Sequence, residues 1–206
     1  MFDKGSIDSR HSDSASSVIA RSSATKQTIA VTGPMAAGKN YICSQMEKEG
    51  WSTVDADLLV HDAIELVKDR ILDTFIPYAE QQHLKLKRED GSIDRRALGE
   101  LLFSFPELLT VQESMVYPII TKWINDFIES HEKTIINATV LYKTPDLLAR
   151  CSKVIFVTAP FWTRVRRARH RDHLPYRQIF RRFHAQRHLL QEYQKTGIEI
   201  EIINNY

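Results

Sequence analysis

Three groups of residues in this chain have the types and spacing that phosphate chemistry needs. The first is Gly33-Pro-Met-Ala-Ala-Gly38-Lys39-Asn40, which fits the pattern G-x-x-x-x-G-K. After a buried strand, such a turn aims consecutive backbone N–H groups inward, and the helix that follows adds the positive end of its dipole. Gly33, Met35, Ala36, Ala37, Gly38, Lys39, Asn40 and Tyr41 are the candidate residues around a nucleotide's phosphates. Lys39 brings a mobile cation for the β- and γ-phosphates. Ser or Thr usually follows that lysine and ligates Mg²⁺ through its hydroxyl, whereas Asn40 offers a bulkier amide oxygen. An ordinary strand–turn–helix with no ligand is the alternative.

The second group is Asp55-Ala-Asp57. It falls at the C-terminal end of an expected strand, the edge at which open α/β sheets bind ligands. A period of two would place both carboxylates on one face. With Asn40 they are the candidate metal ligands, and a carboxylate here can orient an acceptor hydroxyl and take its proton. The alternative is that Asp57 merely caps the next helix.

The third group is basic. Arg164, Arg167 and Arg171 are spaced i, i+3, i+7 and should share one helix face. Arg166, Arg169, Arg177, Arg181, Arg182 and Arg187 extend it. Guanidinium forks suit phosphate oxygens, and such a helix can close over ATP as a lid that neutralises charge in the transition state. A solvated basic face and an RNA-binding surface are the alternatives. His170, His173, His184 and His188 show no metal-type spacing.

Positioning these groups requires alternating strands and helices. Residues 28–32, 51–55, 134–137, 154–158 and 198–203 read as strands, and 39–49, 160–172 and 175–195 as helices. Residues 58–131 read as helical with a break near 85–93. Asp94 can cap a new helix, Pro106 fits a first helical position, and Tyr117-Pro118 should kink or break the last one. The pattern implies an α/β fold, a doubly wound parallel sheet of about five strands. A helical cap within about 60–131 and a lid within about 164–187 complete a domain spanning 27–206. The Ser-rich residues 1–26 read as a flexible tail.

Composition is compatible with this. A chain of 206 residues with 43% hydrophobic residues can bury a core, and a net charge of +2 argues against a general nucleic-acid or membrane binder. The two cysteines, Cys43 and Cys151, form neither a metal motif nor a disulfide framework. No apolar run approaches transmembrane length and no secretory signal opens the chain, so a cytoplasmic location is expected.

Taken together, residues 28–205 resemble the dephospho-coenzyme A kinases. That family has T-G-x-x-x-x-G-K, matched by Thr32 and Gly33–Lys39, and D-A-D followed four residues on by Arg or His, matched by Asp55–Asp57 and His61. Its G-x-[LI]-D-R-x-x-L is matched from Gly91 through Arg95 to Leu98, followed by an aromatic, Phe103. Of its P-x-x-x-Q-x-x-R-x-x-x-R-D, Pro160, Arg167, Arg171 and Asp172 keep register, and Gln186 and Asn205 stand at later family positions. The resemblance implies phosphorylation of the ribose 3′-hydroxyl of dephospho-coenzyme A by ATP with Mg²⁺, the last step of coenzyme A biosynthesis. It implies Asp57 as base, Lys39 as phosphate clamp, and Arg167 and Arg171 as lid cations. Thr32, His61, Arg95 and Tyr117 would lie on the acceptor side, and Asn205 beside the adenine.

Several positions depart from the family. Asn40 replaces Ser or Thr, Pro34 and Ala36 replace loop glycines, Tyr117 stands for His, and Arg164 stands for Gln. Asn137-Ala-Thr-Val-Leu-Tyr-Lys143 replaces a D-x-P-L-L-F-E segment, so both its acidic residues are gone. A kinase for another nucleoside or small metabolite, and a nucleotide-binding homologue with reduced catalysis, are the alternative functions.

Overall fold

The computed structural model describes residues 26–206. Five parallel strands form one sheet: β1 (Gln27–Thr32), β2 (Ser52–Asp55), β3 (Lys133–Asn137), β4 (Val154–Thr158) and β5 (Ile200–Asn204). Their order is β2-β3-β1-β4-β5, all parallel. The middle residues of the inner strands are apolar because both faces are covered. Ile29 and Val31 of β1 join Ile135, Ile155 and Val157 on the face covered by α1 (Lys39–Glu47). Ala30, between them, turns to the other face with Val54, Ile136, Val154 and Phe156.

That second face carries most of the helices. They are α2 (Ala56–Leu66), α3 (Lys68–Gln81), α4 (Arg95–Ser104), α5 (Pro106–Ser130), the short α6 (Pro145–Leu148) and α9 (Leu189–Gln194). Ile71, Phe75, Leu101, Ile124 and Ile128 are fully enclosed there, each contributing about 1.5–3 kcal/mol through burial. Asp94 caps α4 as its spacing suggests, accepting from the N–H groups of Arg96 and Ala97. Two further helices, α7 (Phe161–Asp172) and α8 (Tyr176–Ala185), pack through Val165, Ala168, Ile179 and Phe183 against Met35 and Ala36. The loop after β1 is thus held by a small core of its own.

Three local expectations are corrected. Helix α5 runs unbroken through Pro118, whose ring is on the exposed side while Leu108, Val116, Ile120, Ile124 and Ile128 clamp the other side along the whole length. The helix expected over 175–195 is two, separated at 186–188, where Gln186 leaves the helical course. The strand expected to carry both Asp55 and Asp57 ends at Asp55, and Asp57 lies in the first turn of α2. The tail expected over 1–26 lies outside the described residues except Lys26, which pairs with Glu129 at 2.7 Å.

Cys43, on α1, and Cys151, after α6, are both buried and free. Burial pushes each thiol up to about 12, so neither is a thiolate at neutral pH. A thiol–disulfide reagent at pH 8 should label the folded protein at least about a hundredfold more slowly than the urea-unfolded chain. Equal rates would mean that these helices open freely.

Candidate active site

The loop between β1 and α1 sits at the carboxyl edge of the sheet, beside the point where the strand order reverses about β1. Gly33 has φ 145° and Gly38 φ 102°, both outside the range of ordinary L-residues. Ala36, at φ 61°, is also left-handed, a conformation that costs a residue with a Cβ about 1 kcal/mol. Ala37 N–H closes the turn on the Pro34 carbonyl at 3.1 Å, and Met35 N–H donates to Gln186 Oε1 at 2.7 Å. Lys39 Nζ donates to Gly33 O at 3.2 Å and to Thr139 Oγ1 at 3.0 Å. Burial pulls its ammonium below the usual lysine range, and the nearby Asp57 and Asp55 carboxylates oppose that shift.

Two clefts open on this loop. One of about 500 Å³ is lined by Pro34, Ala36–Asn40, Arg166, Arg167, His170 and Arg171. The other, about 450 Å³, runs from Met35, Ala36, Lys39 and Asn40 past Asp55, Asp57, His61, Asn137 and Thr139 to Arg171, Arg182 and Gln186. Ala36, Lys39, Asn40 and Arg171 belong to both. Each volume suits a ligand of metabolite size.

A polar network lines the second cleft. Asp55 Oδ1 caps α2 by accepting from Leu58 N–H, so it is Asp55 that serves as the N-cap. Asn137 Nδ2 donates to Asp55 Oδ2 at 2.8 Å and to Asn40 Oδ1 at 3.0 Å. Because a carboxylate only accepts, this fixes which way the Asn137 amide points, and it turns the Asn40 oxygen toward Asn137. Asn137 Oδ1 is buried and without a partner among the described residues. Asp57 Oδ2 accepts from Thr139 Oγ1 at 3.0 Å.

The arginines behave as three different groups. Arg164 Nε donates to Met35 O at 3.0 Å while its guanidinium lies 4.0 Å from the centre of the Phe183 ring. Desolvation lowers its affinity for the proton. Arg167 donates to the main-chain oxygens of Ala37, Asn205 and Tyr206 at 3.2–3.4 Å. Arg171, exposed on both clefts, pairs with Asp172 at 2.7 Å. Asn205 Nδ2 donates to Ala37 O, which brings the end of β5 onto the loop.

Most of the residues singled out in the sequence therefore converge: Gly33, the stretch Met35–Asn40, Asp55, Asp57, His61, Arg167, Arg171 and Asn205 surround the two clefts or the loop between them. Four do not. Thr32 is fully buried, its hydroxyl donating to Thr139 O. Tyr41 is exposed on α1, and Arg95 is exposed at the start of α4; neither lines these clefts. Tyr117 lines a separate small cavity beneath Asp57 and donates to Glu113. Asn137 and Thr139 were noted only as part of a segment that departs from the family, and with Tyr193 they were not named as site residues. The Tyr193 hydroxyl is buried, accepting from Leu141 N–H and donating to Thr139 O, and no local motif marks it.

The family model described as dephospho-CoA kinase matches residues 27–205. Among curated proteins, a dephospho-CoA kinase of Treponema denticola is 32% identical over 184 residues, covering 86% of this chain and 82% of the relative. One from Treponema pallidum is 33% identical over 164 residues, covering 77% of each. Among solved structures, a Thermus thermophilus protein superposes with a TM-score of 0.72 at 24% identity, over 88% of this chain and 90% of that one. The dephospho-CoA kinase of Campylobacter jejuni gives 0.55 at 22% identity, over 88% and 89%. These structural likenesses speak to the P-loop α/β fold.

Proposed function

The chain belongs to the dephospho-CoA kinase family, and from that premise we infer that it transfers the γ-phosphoryl group of ATP to the ribose 3′-hydroxyl of dephospho-coenzyme A, the last step of coenzyme A biosynthesis. The observation that carries this reading is the pair of clefts meeting at Lys39 and Arg171, with Asp57 in the second. A phosphoryl transfer needs donor and acceptor in line, with cations at the junction and a base on the acceptor side.

In this reading the first cleft takes ATP. Its phosphates lie against the N–H groups of the loop and the N-terminus of α1, where the dipole favours anions. Lys39 turns from Gly33 O to the β- and γ-phosphates, and Arg167 and Arg171 face the charge that develops on the transferring group. The acceptor enters the second cleft beside His61, with helices α2–α5 as its cap. Asp57 Oδ2 is held by Thr139, and Oδ1 has no donor among the described residues. Oδ1 takes the proton of the 3′-hydroxyl as that oxygen bonds to phosphorus and the bond to the ADP oxygen breaks.

Mg²⁺ suits this donor set. Two carboxylates and an amide oxygen, from Asp55, Asp57 and Asn40, line one cleft, and Mg²⁺ takes a few protein oxygens together with phosphates and water. When bound, it neutralises charge on the β- and γ-phosphates. The buried, free cysteines suit the cytoplasm as the site of reaction. The neutral Asn137 amide hydrogen-bonded to Asp55 favours, as a second reading, a nucleotide-binding homologue with slow turnover.

The test is ADP release, followed with a coupled assay in the presence of dephospho-coenzyme A and Mg²⁺ or Mn²⁺. Turnover at about 1–100 s⁻¹ is the expected result. ATP binding with no turnover would favour the second reading, and turnover of a different acceptor alone would replace the substrate.

A further inference from the structure

We propose that Thr139 is a positioning residue for the transfer, holding the Asp57 carboxylate and the Lys39 ammonium apart and in register through one hydroxyl; this rests on the functional reading above. Thr139 Oγ1 lies 3.0 Å from Lys39 Nζ and 3.0 Å from Asp57 Oδ2. An ammonium can only donate and a carboxylate can only accept. The hydroxyl therefore has one orientation, accepting from Lys39 and donating to Asp57. Among the described residues Lys39 and Asp57 make no direct ion pair. A direct pair would withhold the cation from phosphate and cover the carboxylate oxygens that must meet the acceptor. The interposed hydroxyl prevents it.

The geometry around Thr139 suits a fixed point. Its carbonyl accepts from the hydroxyls of Thr32 at 3.1 Å and Tyr193 at 3.3 Å. The preceding residue, Ala138, donates its N–H to Val31 O. The segment is thereby tied to β1 on one side and to α9 on the other. Asp57, by contrast, is exposed at the start of a helix, where a free carboxylate samples several rotamers. When Lys39 turns to the phosphates, the hydroxyl keeps its bond to Oδ2 and leaves Oδ1 aimed at the acceptor. Thr139 itself carries no proton between reactants.

The test compares kcat and KM for wild type, Thr139→Val, Thr139→Ala and Thr139→Ser. Val keeps the branched shape, and Ala leaves nothing to strain the surroundings. Both should lower kcat by about 10–100-fold, as expected for a misdirected base, with KM for ATP and dephospho-coenzyme A within about threefold of wild type. Ser should restore kcat to within about threefold of wild type, because it returns the hydroxyl. Full kcat in either hydroxyl-free variant overturns the proposal. A loss carried in KM does so too, as does a Ser variant as impaired as Val. A wild type inactive on dephospho-coenzyme A would overturn the functional reading and this proposal with it, whereas the other failures occur with an active wild type and strike this proposal alone.

Discussion

Replacing Asp57 with Asn should lower kcat by about a hundredfold to ten-thousandfold while leaving ATP affinity within about threefold of wild type. That corresponds to about 3–5 kcal/mol of barrier. The substitution is clean because Asn presents a carbonyl oxygen of the same shape. It can still accept the Thr139 hydroxyl at the position of Oδ2, so geometry is kept and basicity is lost. The loop, Lys39 and Arg167 are untouched, which is why nucleotide binding survives. Single-turnover kinetics and calorimetric ATP titration check the two halves separately. A variant with kcat within about threefold of wild type would remove Asp57 from the role of base. Asp55→Ala is the useful contrast. Asp55 caps α2 and accepts from Asn137, so its removal should lower stability by about 1 kcal/mol for the cap, a loss that Asp57→Asn should not show, and should also weaken the dependence of turnover on Mg²⁺.

The largest stability effect is expected at Gly33. A Cβ there would come within 2.1 Å of the Val157 carbonyl oxygen, and the residue sits at φ 145°. The obstruction is backbone of a central strand, which cannot swing aside as a side-chain tip can. Gly33→Ala should therefore cost about 3 kcal/mol or more, combining overpacking with backbone strain. For a chain of this size that lowers Tm by roughly 6–12 °C. Gly99→Ala serves as a control within the same chain. Nothing lies within 4 Å of its added Cβ in the middle of α4, so this variant should gain about 0.5–1 kcal/mol from helix propensity. Thermal melts of both variants decide the matter. A Gly33→Ala protein that melts with wild type would show that the turn relaxes far more than its packing suggests.

How much of this was legible in the sequence depended on the distance over which each signal is written. The phosphate loop is contiguous, so its spacing alone placed Gly33–Asn40 between a strand and a helix. The arginine face was legible for the same reason, since i, i+3 and i+7 are neighbours on one helix. Asp55 and Asp57 were found as a pair but mis-placed relative to each other: the strand ends at Asp55, two residues short of carrying Asp57, and the cap role falls to Asp55. Pro118 signalled a break that apolar burial on either side overrode. Asn137 and Thr139 were noted only as members of a segment departing from the family; as site residues they were invisible because their partners on β1, α1 and around Asp55 and Asp57 lie 82–107 residues away in the chain. Their roles exist only once β2 and β1 have both paired beside β3.

The bonds from Arg164 to Met35 O and from Arg167 to Ala37 O have a thermodynamic consequence. A turn that aims its N–H groups at an incoming anion must aim carbonyls the other way, and here two of those carbonyls anchor the arginine helix. The loop and α7 are consequently oriented relative to each other when the chain folds. The entropy of setting Arg167 in place is lost at that moment and not again each time a nucleotide arrives. Arg171, one turn further on and joined among the described residues only to the neighbouring Asp172, is in the proposed reaction the cation left to reorder during each cycle. A nucleotide then meets a cage that is largely preorganised, and affinity gained in this way is expressed as longer residence rather than faster arrival.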